Sequence, residues 1–169
     1  MADLTFNTAA NAVVSRKLLL LFLNTGTADA PVWSRVGKRV EDSSMEYDWG
    51  KETKTDIFGD TWPTMKDPVI TQSELDSDDD AQVKIWNMAI RGHDISAMNN
   101  NDMLVVHAYA GTKDTAVFAE RYGSCAVTPT GLGGSSTVGM PIEVTFGGTR
   151  TTGTAAVSGK TVTFTADNT

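Results

Sequence analysis

The sequence predicts a mainly β protein: two packed antiparallel sheets, as a sandwich or partial barrel, with one flanking α-helix and a long projecting loop or hairpin. Three observations carry this. Short runs that alternate apolar and polar residues recur between Gly, Asn and Pro turn signals, most clearly over residues 138–146. Helical spacing of apolar residues occurs convincingly only once, over about residues 78–91. Residues 41–66 are heavily charged yet carry Met45, Tyr47, Trp49, Phe58 and Trp62. A disordered linker would be poor in aromatics, and a core segment poor in charge. Structure that leaves the domain and is covered by a partner has both.

Taken in order, residues 1–12 are small and polar apart from Leu4 and Phe6, and are expected to form a short arm. Residues 13–23 end in the run LLLLFL, which fits a buried strand or part of a buried helix; the turn chemistry of Asn24, Thr25 and Gly26 favours a strand. Residues 30–40 are expected to be a strand with Val32, Val36 and Val40 facing inward and Trp33, Arg35 and Arg39 on the other face. Residues 44–49 alternate Met45, Tyr47 and Trp49 against Glu46 and Asp48, and a short strand resumes at residues 69–72.

Ser77 is placed to cap the helix, Asp78, Asp79 and Asp80 complement its positive end, and Gly92 is a plausible stop. Residues 103–109 and 115–127 then suggest a hairpin whose second strand is broken or bulged near Gly123. Residues 128–136 form a Gly-rich connection. Residues 138–146 alternate cleanly, and Pro141 predicts that this strand lies at a sheet edge or begins there. Residues 151–157 and 161–165 close the chain as strands around the Ser158-Gly159 turn.

A chain of 169 residues suits one domain with a real core, here residues 1–169. The formal charge of -7 argues against sequence-independent nucleic-acid binding, which needs a basic surface. Cys125 is alone, so neither a disulfide framework nor a thiolate metal cage is available. The first residues lack a basic start followed by an apolar run, so synthesis in a cytoplasm without a secretion address is expected. The LLLLFL run is far too short to cross a bilayer.

Candidate chemistry is thin. Asp76, Asp78, Asp79 and Asp80 invite a calcium site, but the mid-loop glycine and distal glutamate of an EF-hand are missing and the helix dipole accounts for the acids. His93 with Asp94 suggests an acid–base pair, yet neighbours in sequence seldom face each other; His93 and His107 are better read as core or interface histidines. The glycines at 131–134 resemble a phosphate loop but lack its lysine and following helix. Arg35, Lys38 and Arg39 form a small basic stripe, suited to pairing with Glu41, Asp42 and Glu46 on a neighbouring strand or subunit. No catalytic motif emerges, and no cofactor or metal is expected.

Several segments together resemble the major tail protein, or tail-tube protein, of long-tailed bacteriophages with non-contractile tails. They are Val32-Trp33-Ser34-Arg35-Val36-Gly37, Met45-Glu46-Tyr47-Asp48, Thr55-Asp56-Ile57-Phe58-Gly59-Asp60, Ile70-Thr71-Gln72, Ala119-Glu120-Arg121-Tyr122 and Pro141-Ile142-Glu143-Val144, with the acidic helix start and the 148–153 turn region. The resemblance implies a non-enzymatic virion protein that forms hexameric rings stacked into a hollow tube for DNA ejection. It implies as partners other copies of itself and the tail-tip or baseplate, tape-measure and tail-terminator proteins, with DNA only as passing cargo and no membrane insertion. Residues 41–66 match by position the loop that reaches between subunits or rings.

On that basis Met45, Tyr47, Trp49, Phe58 and Trp62 are expected at the subunit or ring interface. Glu46, Asp48, Lys51 and Glu143 are candidates for the lumen or for fixing the register of a neighbour. An acidic lumen would repel phosphates over about 8 Å at physiological salt. The alternatives are the inner tube of a contractile injection system or tailocin and, in a different class, a ligand- or carbohydrate-binding β-sandwich with Trp33, Trp49 and Trp62 as a stacking surface.

Overall fold

The computed structural model describes residues 4–38, 40, 43–45, 53–55, 61–63, 68–71, 74–147 and 149–167. Its elements are β1 (Leu19–Asn24), β2 (Trp33–Val36), β3 (Ser43–Met45), β4 (Thr53–Thr55), β5 (Thr61–Pro63), β6 (Pro68–Thr71), α1 (Asp80–Trp86), α2 (Ile95–Met98), β7 (Asn101–Thr112), β8 (Ala116–Pro129), β9 (Ile142–Thr145), β10 (Arg150–Ser158) and β11 (Thr161–Ala166). A π-type turn over Asn87–Arg91 extends α1. The fold is mainly β, a curled antiparallel half-barrel with one main helical segment.

The two expected layers belong to one continuous nine-stranded sheet in the order β2-β1-β7-β8-β9-β6-β3, with β10 and β11 branching from β8. The fork is in β8. Its residues 117–122 pair with β10, and its residues 126–129 pair with β9. Between them the β7–β8 register slips, with Met103 opposite Tyr122 but Asn101 opposite Cys125. Ser124 takes a positive φ of 54° there. An extra residue on one strand bends it and increases its twist, which sends the second half of β8 into the other layer. The break expected near Gly123 is this bulge.

Two apolar clusters follow. Inside the curl lie Phe22, Trp33, Leu104, Val106, Val117, Ala119, Ala155 and Val162. Between the curl and the layer of β9 lie Leu21, Leu23, Met103, Val105, Ile142 and Val144, closed over by Ala81 and Ile85 of α1. β1 therefore contributes to both: Leu19, Leu21 and Leu23 to one cluster, Leu20 and Phe22 to the other. Burial on both faces is why the strand reads as an unbroken apolar run. Fully burying one such side chain stabilises the fold by roughly 1.5–3 kcal/mol.

Several sequence expectations change. Residues 13–18 are not strand: a 3-10 turn occupies Arg16–Leu18, and Val13 is 96% exposed. β2 is only four residues long, and its inward residue is Trp33, while Val32 is 56% exposed. The valine-inward pattern fails because β2 packs residues on both faces, Trp33 in one cluster and Val36 against the other. The helix is capped by Asp79, whose carboxylate accepts from the Gln82 N–H at 3.1 Å, and not by Ser77. Asp94 likewise caps α2 through the Ala97 N–H at 2.9 Å, so it orders a helix start and does not pair with His93, which is exposed. β9 covers only residues 142–145 and lies between β8 and β6, so it is not an edge. Pro141 is tolerated because it precedes the ladder, where no strand N–H is required of it.

Candidate functional site

Among the described residues the sheet edges are the first candidates for a functional surface. Among the described residues β2 pairs only with β1, β3 only with β6, and β11 only with β10. β2 and β11 approach each other across the mouth of the curl without pairing. Between them opens a cleft of about 810 Å³ with a floor of Leu20, Phe22, Trp33, Val157, Val162 and Phe164. Arg121 lies 5.9 Å from the centre of the Trp33 ring and pairs with Asp102 at 2.5 Å. β4 and β5 form a two-stranded sheet of their own, with Thr53 opposite Pro63, Lys54 opposite Trp62 and Thr55 opposite Thr61. Leu4, Phe6, Val13, Val32, Ile95, Leu132 and Val138 are exposed.

The free edge of β7 beyond β1 is taken by the N-terminal segment. β1 pairs with β7 only as far as His107. Past that point the Asn7 N–H donates to the Tyr109 carbonyl at 2.9 Å, and the Gly111 N–H donates to the Thr5 carbonyl at 2.9 Å. The Asn7 side-chain amide donates to the carbonyls of Ala108 at 3.0 Å and Gly111 at 3.2 Å. Phe6 meets the edge of Tyr109 at 5.4 Å while remaining 63% exposed.

Beneath this strap is a buried charge. Glu120 is 5% exposed, on β8 between β7 and β10. Its carboxylate meets His107 Nε2 at 2.9 Å and accepts from Arg150 Nε at 2.6 Å, with a second Arg150 nitrogen on the same oxygen. The Tyr122 hydroxyl donates to it at a long 3.5 Å. His107 Nδ1 is 2.7 Å from the Tyr109 hydroxyl. Burial pushes the Glu120 carboxyl up, but the hydrogen bonds from His107 and Arg150 outweigh it and hold it below the usual carboxylate range. Burial and the nearby Glu120 charge push the Tyr109 phenol up. A carboxylate so enclosed and so fully engaged is an anchor for three strands, and is poorly placed to meet a substrate.

No family model matches the chain, nor does any curated protein. Among solved structures it is similar to a chain of the sheath/tube terminator of the PVC extracellular contractile injection system, with 8% identity, a TM-score of 0.45, and 85% of this chain and 99% of that one covered. It is also similar to a chain of the anti-feeding prophage baseplate, with 8% identity, a TM-score of 0.44, and coverages of 86% and 97%. A chain of the anti-feeding prophage cap gives 11% identity, a TM-score of 0.38, and coverages of 95% and 96%.

Of the residues singled out in the sequence, Met45 is half-buried against the larger apolar cluster. Trp62 stands opposite Lys54 in the β4–β5 ladder. Glu143 is exposed on β9. Tyr47, Trp49, Phe58, Glu46, Asp48 and Lys51 lie outside the described residues. Trp33, at 7% exposed, is core, which removes it from any exposed stacking surface with Trp49 and Trp62. Lys38 pairs with Asp76 at 2.8 Å, and this hydrogen bond holds its ammonium above the usual lysine value; Glu41, Asp42 and Glu46 lie outside the described residues. Asp76 also accepts from the Asp78 N–H at 2.9 Å, so two of the four clustered acids, Asp76 and Asp79, have local backbone roles.

Sequence inspection missed Glu120 and Arg150. A signal existed: Phe118, Glu120 and Tyr122 share one face of β8, so a lone carboxylate stands between two rings on the face that meets His107. The resemblance quoted Glu120 as a motif residue without revealing its partner.

Proposed function

We propose that this chain is a structural, self-assembling subunit of a tail tube, forming hexameric rings that stack around a channel for DNA. The observation that carries the proposal is the incomplete sheet: β2, β3 and β11 each pair on one side only among the described residues. Unpaired edges template association with other chains, and closure around a ring removes them. A head-to-tail contact that closes by rotation yields a cyclic oligomer. The separate β4–β5 sheet supports the same reading, because an isolated two-stranded hairpin is at best marginally stable in water and gains most from a neighbour that covers it. In this proposal the 41–66 segment leaves the sheet after β3 and projects to the adjoining subunit or ring, and residues 1–12 are an arm whose residues 5–7 lie on the subunit's own β7.

The proposed partners are other copies, then the proteins of the tail tip, the tape measure and the terminator. The proposed particle is a non-contractile phage tail; the inner tube of a sheathed contractile machine is the alternative. Negative-stain microscopy of the purified protein and of the native particle tests both. Hollow tubes or six-fold rings support assembly, and a surrounding sheath selects the contractile form. A protein that stays monomeric at high concentration and binds glycans instead would overturn the proposal.

A further inference from the structure

The strap of residues 4–7 and the buried Glu120 are joined by a single chain of contacts. Asn7 and Thr5 bond the backbone at Tyr109 and Gly111. The Tyr109 ring carries Phe6 on one side, and its hydroxyl meets His107 Nδ1 at 2.7 Å. His107 Nε2 meets Glu120 at 2.9 Å. The charged and titratable groups facing Glu120 are His107 and Tyr109 from β7, Tyr122 from β8 itself, and Arg150 from β10. The strap faces it with no charge, only Asn7 and Phe6.

We propose that the Glu120–His107–Tyr109 chain is an acid-operated latch that keeps the strap on the β7 edge while Glu120 is ionised and releases it, ahead of the rest of the sheet, when Glu120 is protonated.

The chemistry follows from donor and acceptor capacity. An ionised Glu120 only accepts, so His107 donates from Nε2, and in the neutral ring Nδ1 is left to accept from the Tyr109 O–H. The ring is thereby fixed from both ends and Tyr109 is held under Phe6. A proton taken from solvent by Glu120 removes the anion that both His107 and Arg150 address. Charge-assisted bonds of this type are roughly twice as strong as neutral ones. His107 loses its anchor and Tyr109 loses its fixed acceptor. The strap is the weakest element tied to that chain, since it adds only a few backbone bonds at an exposed edge, whereas β1, β7 and β8 are held by two buried clusters. It therefore opens first. The latch is a property of one subunit and stands apart from the assembly proposed above.

The test is amide hydrogen exchange of the full chain, corrected for intrinsic exchange, from pH 7 downward. The reporters are the two amides that join strap and edge, those of Asn7 and of Gly111 on β7, against the core amides of Leu104 and Val106. In the wild type, strap protection is expected to fall about tenfold as Glu120 protonates, the loss of one typical hydrogen bond, while core protection holds. In Glu120→Gln the strap is expected to be already loose at pH 7 and indifferent to acid. Tyr109→Phe keeps the ring under Phe6 but cuts the link to His107. It is expected to leave core protection unchanged and to abolish the acid response of the strap. Loss of strap and core protection together in the wild type, or an acid response that survives in Tyr109→Phe, would overturn the latch.

Discussion

Cys125 is fully buried, and burial pushes its thiol up to about 11. The thiolate is the reactive form, so the native protein is expected to resist a thiol reagent at pH 8 and to react at once when denatured. Complete labelling within seconds under native conditions would contradict the burial. Glu120 has a sign that can be tested directly. Its carboxyl is held below the usual range in the fold, so its stabilising contribution is present above the unfolded carboxylate value and is lost as pH falls through the folded one. Glu120→Gln is expected to cost about 2 kcal/mol at pH 7, measured by denaturant melts. The gap to wild type should narrow through that acid window; a gap independent of pH would rule out an ionised Glu120 as the anchor. Residue identity announces some of this and hides the rest. A single cysteine is obvious in a sequence. The partner of a strand carboxylate is not, because Arg150 and His107 reach Glu120 through two ladders whose registers no local pattern encodes.

Elements were legible wherever local physics decides them. The acidic run before an apolar stretch of helical spacing marks α1, and only the capping residue differed. Asp79→Ala is expected to lose about 1 kcal/mol of stability, while Ser77→Ala should change little in the same thermal melts. The turn at Gly159 and the strands β10 and β11 follow the sequence signals closely, whereas β7 runs past Gly111, its expected end, to Thr112. Elements whose faces are both covered were harder. Alternation assumes one wet face; β1 has none, and β2 packs Trp33 and Val36 on opposite faces. The final hairpin carries a close approach that alternation cannot see. A Cβ on Gly153 would lie 2.2 Å from the Thr165 carbonyl oxygen and 2.9 Å from Ala166 Cα. Backbone does not yield as a flexible side chain does, so Gly153→Ala is expected to cost about 1–3 kcal/mol. A melting temperature unchanged from wild type would show that β11 has room to move.

At the scale of the whole molecule the class was legible and the curvature was not. Nothing in the alternation of residues 116–129 says that one strand serves two layers; that depends on a slipped register against β7. The candidate contact surface divides in the same way. Its aromatic and charged composition stands out in the sequence, whereas the edges of β2, β3 and β11, unpaired among the described residues, emerge only from the topology. The assembly proposal predicts that deleting residues 48–62 leaves a folded subunit by circular dichroism and stops tube growth in the microscope. Normal tubes from that deletion would remove the inter-ring role of the segment. Glu143→Lys is expected to slow DNA exit without blocking assembly, read as an ejection rate; an unchanged rate would count against a lumen position for β9.

The forked β8 also bears on how the chain folds. Its first half pairs with β10 and its second half with β9. The two layers are thus tied by one strand, even though their apolar clusters are separate. β1 finds β2 close by in the chain, but its other edge must wait for β7, far along the sequence. Such non-local pairing places folding in the slow range, on the order of milliseconds to seconds. For that interval the strand edges are open in every nascent copy. In the proposed assembly, growth at the end of an existing tube would favour subunits that have already closed both halves of β8 around the bulge at Ser124.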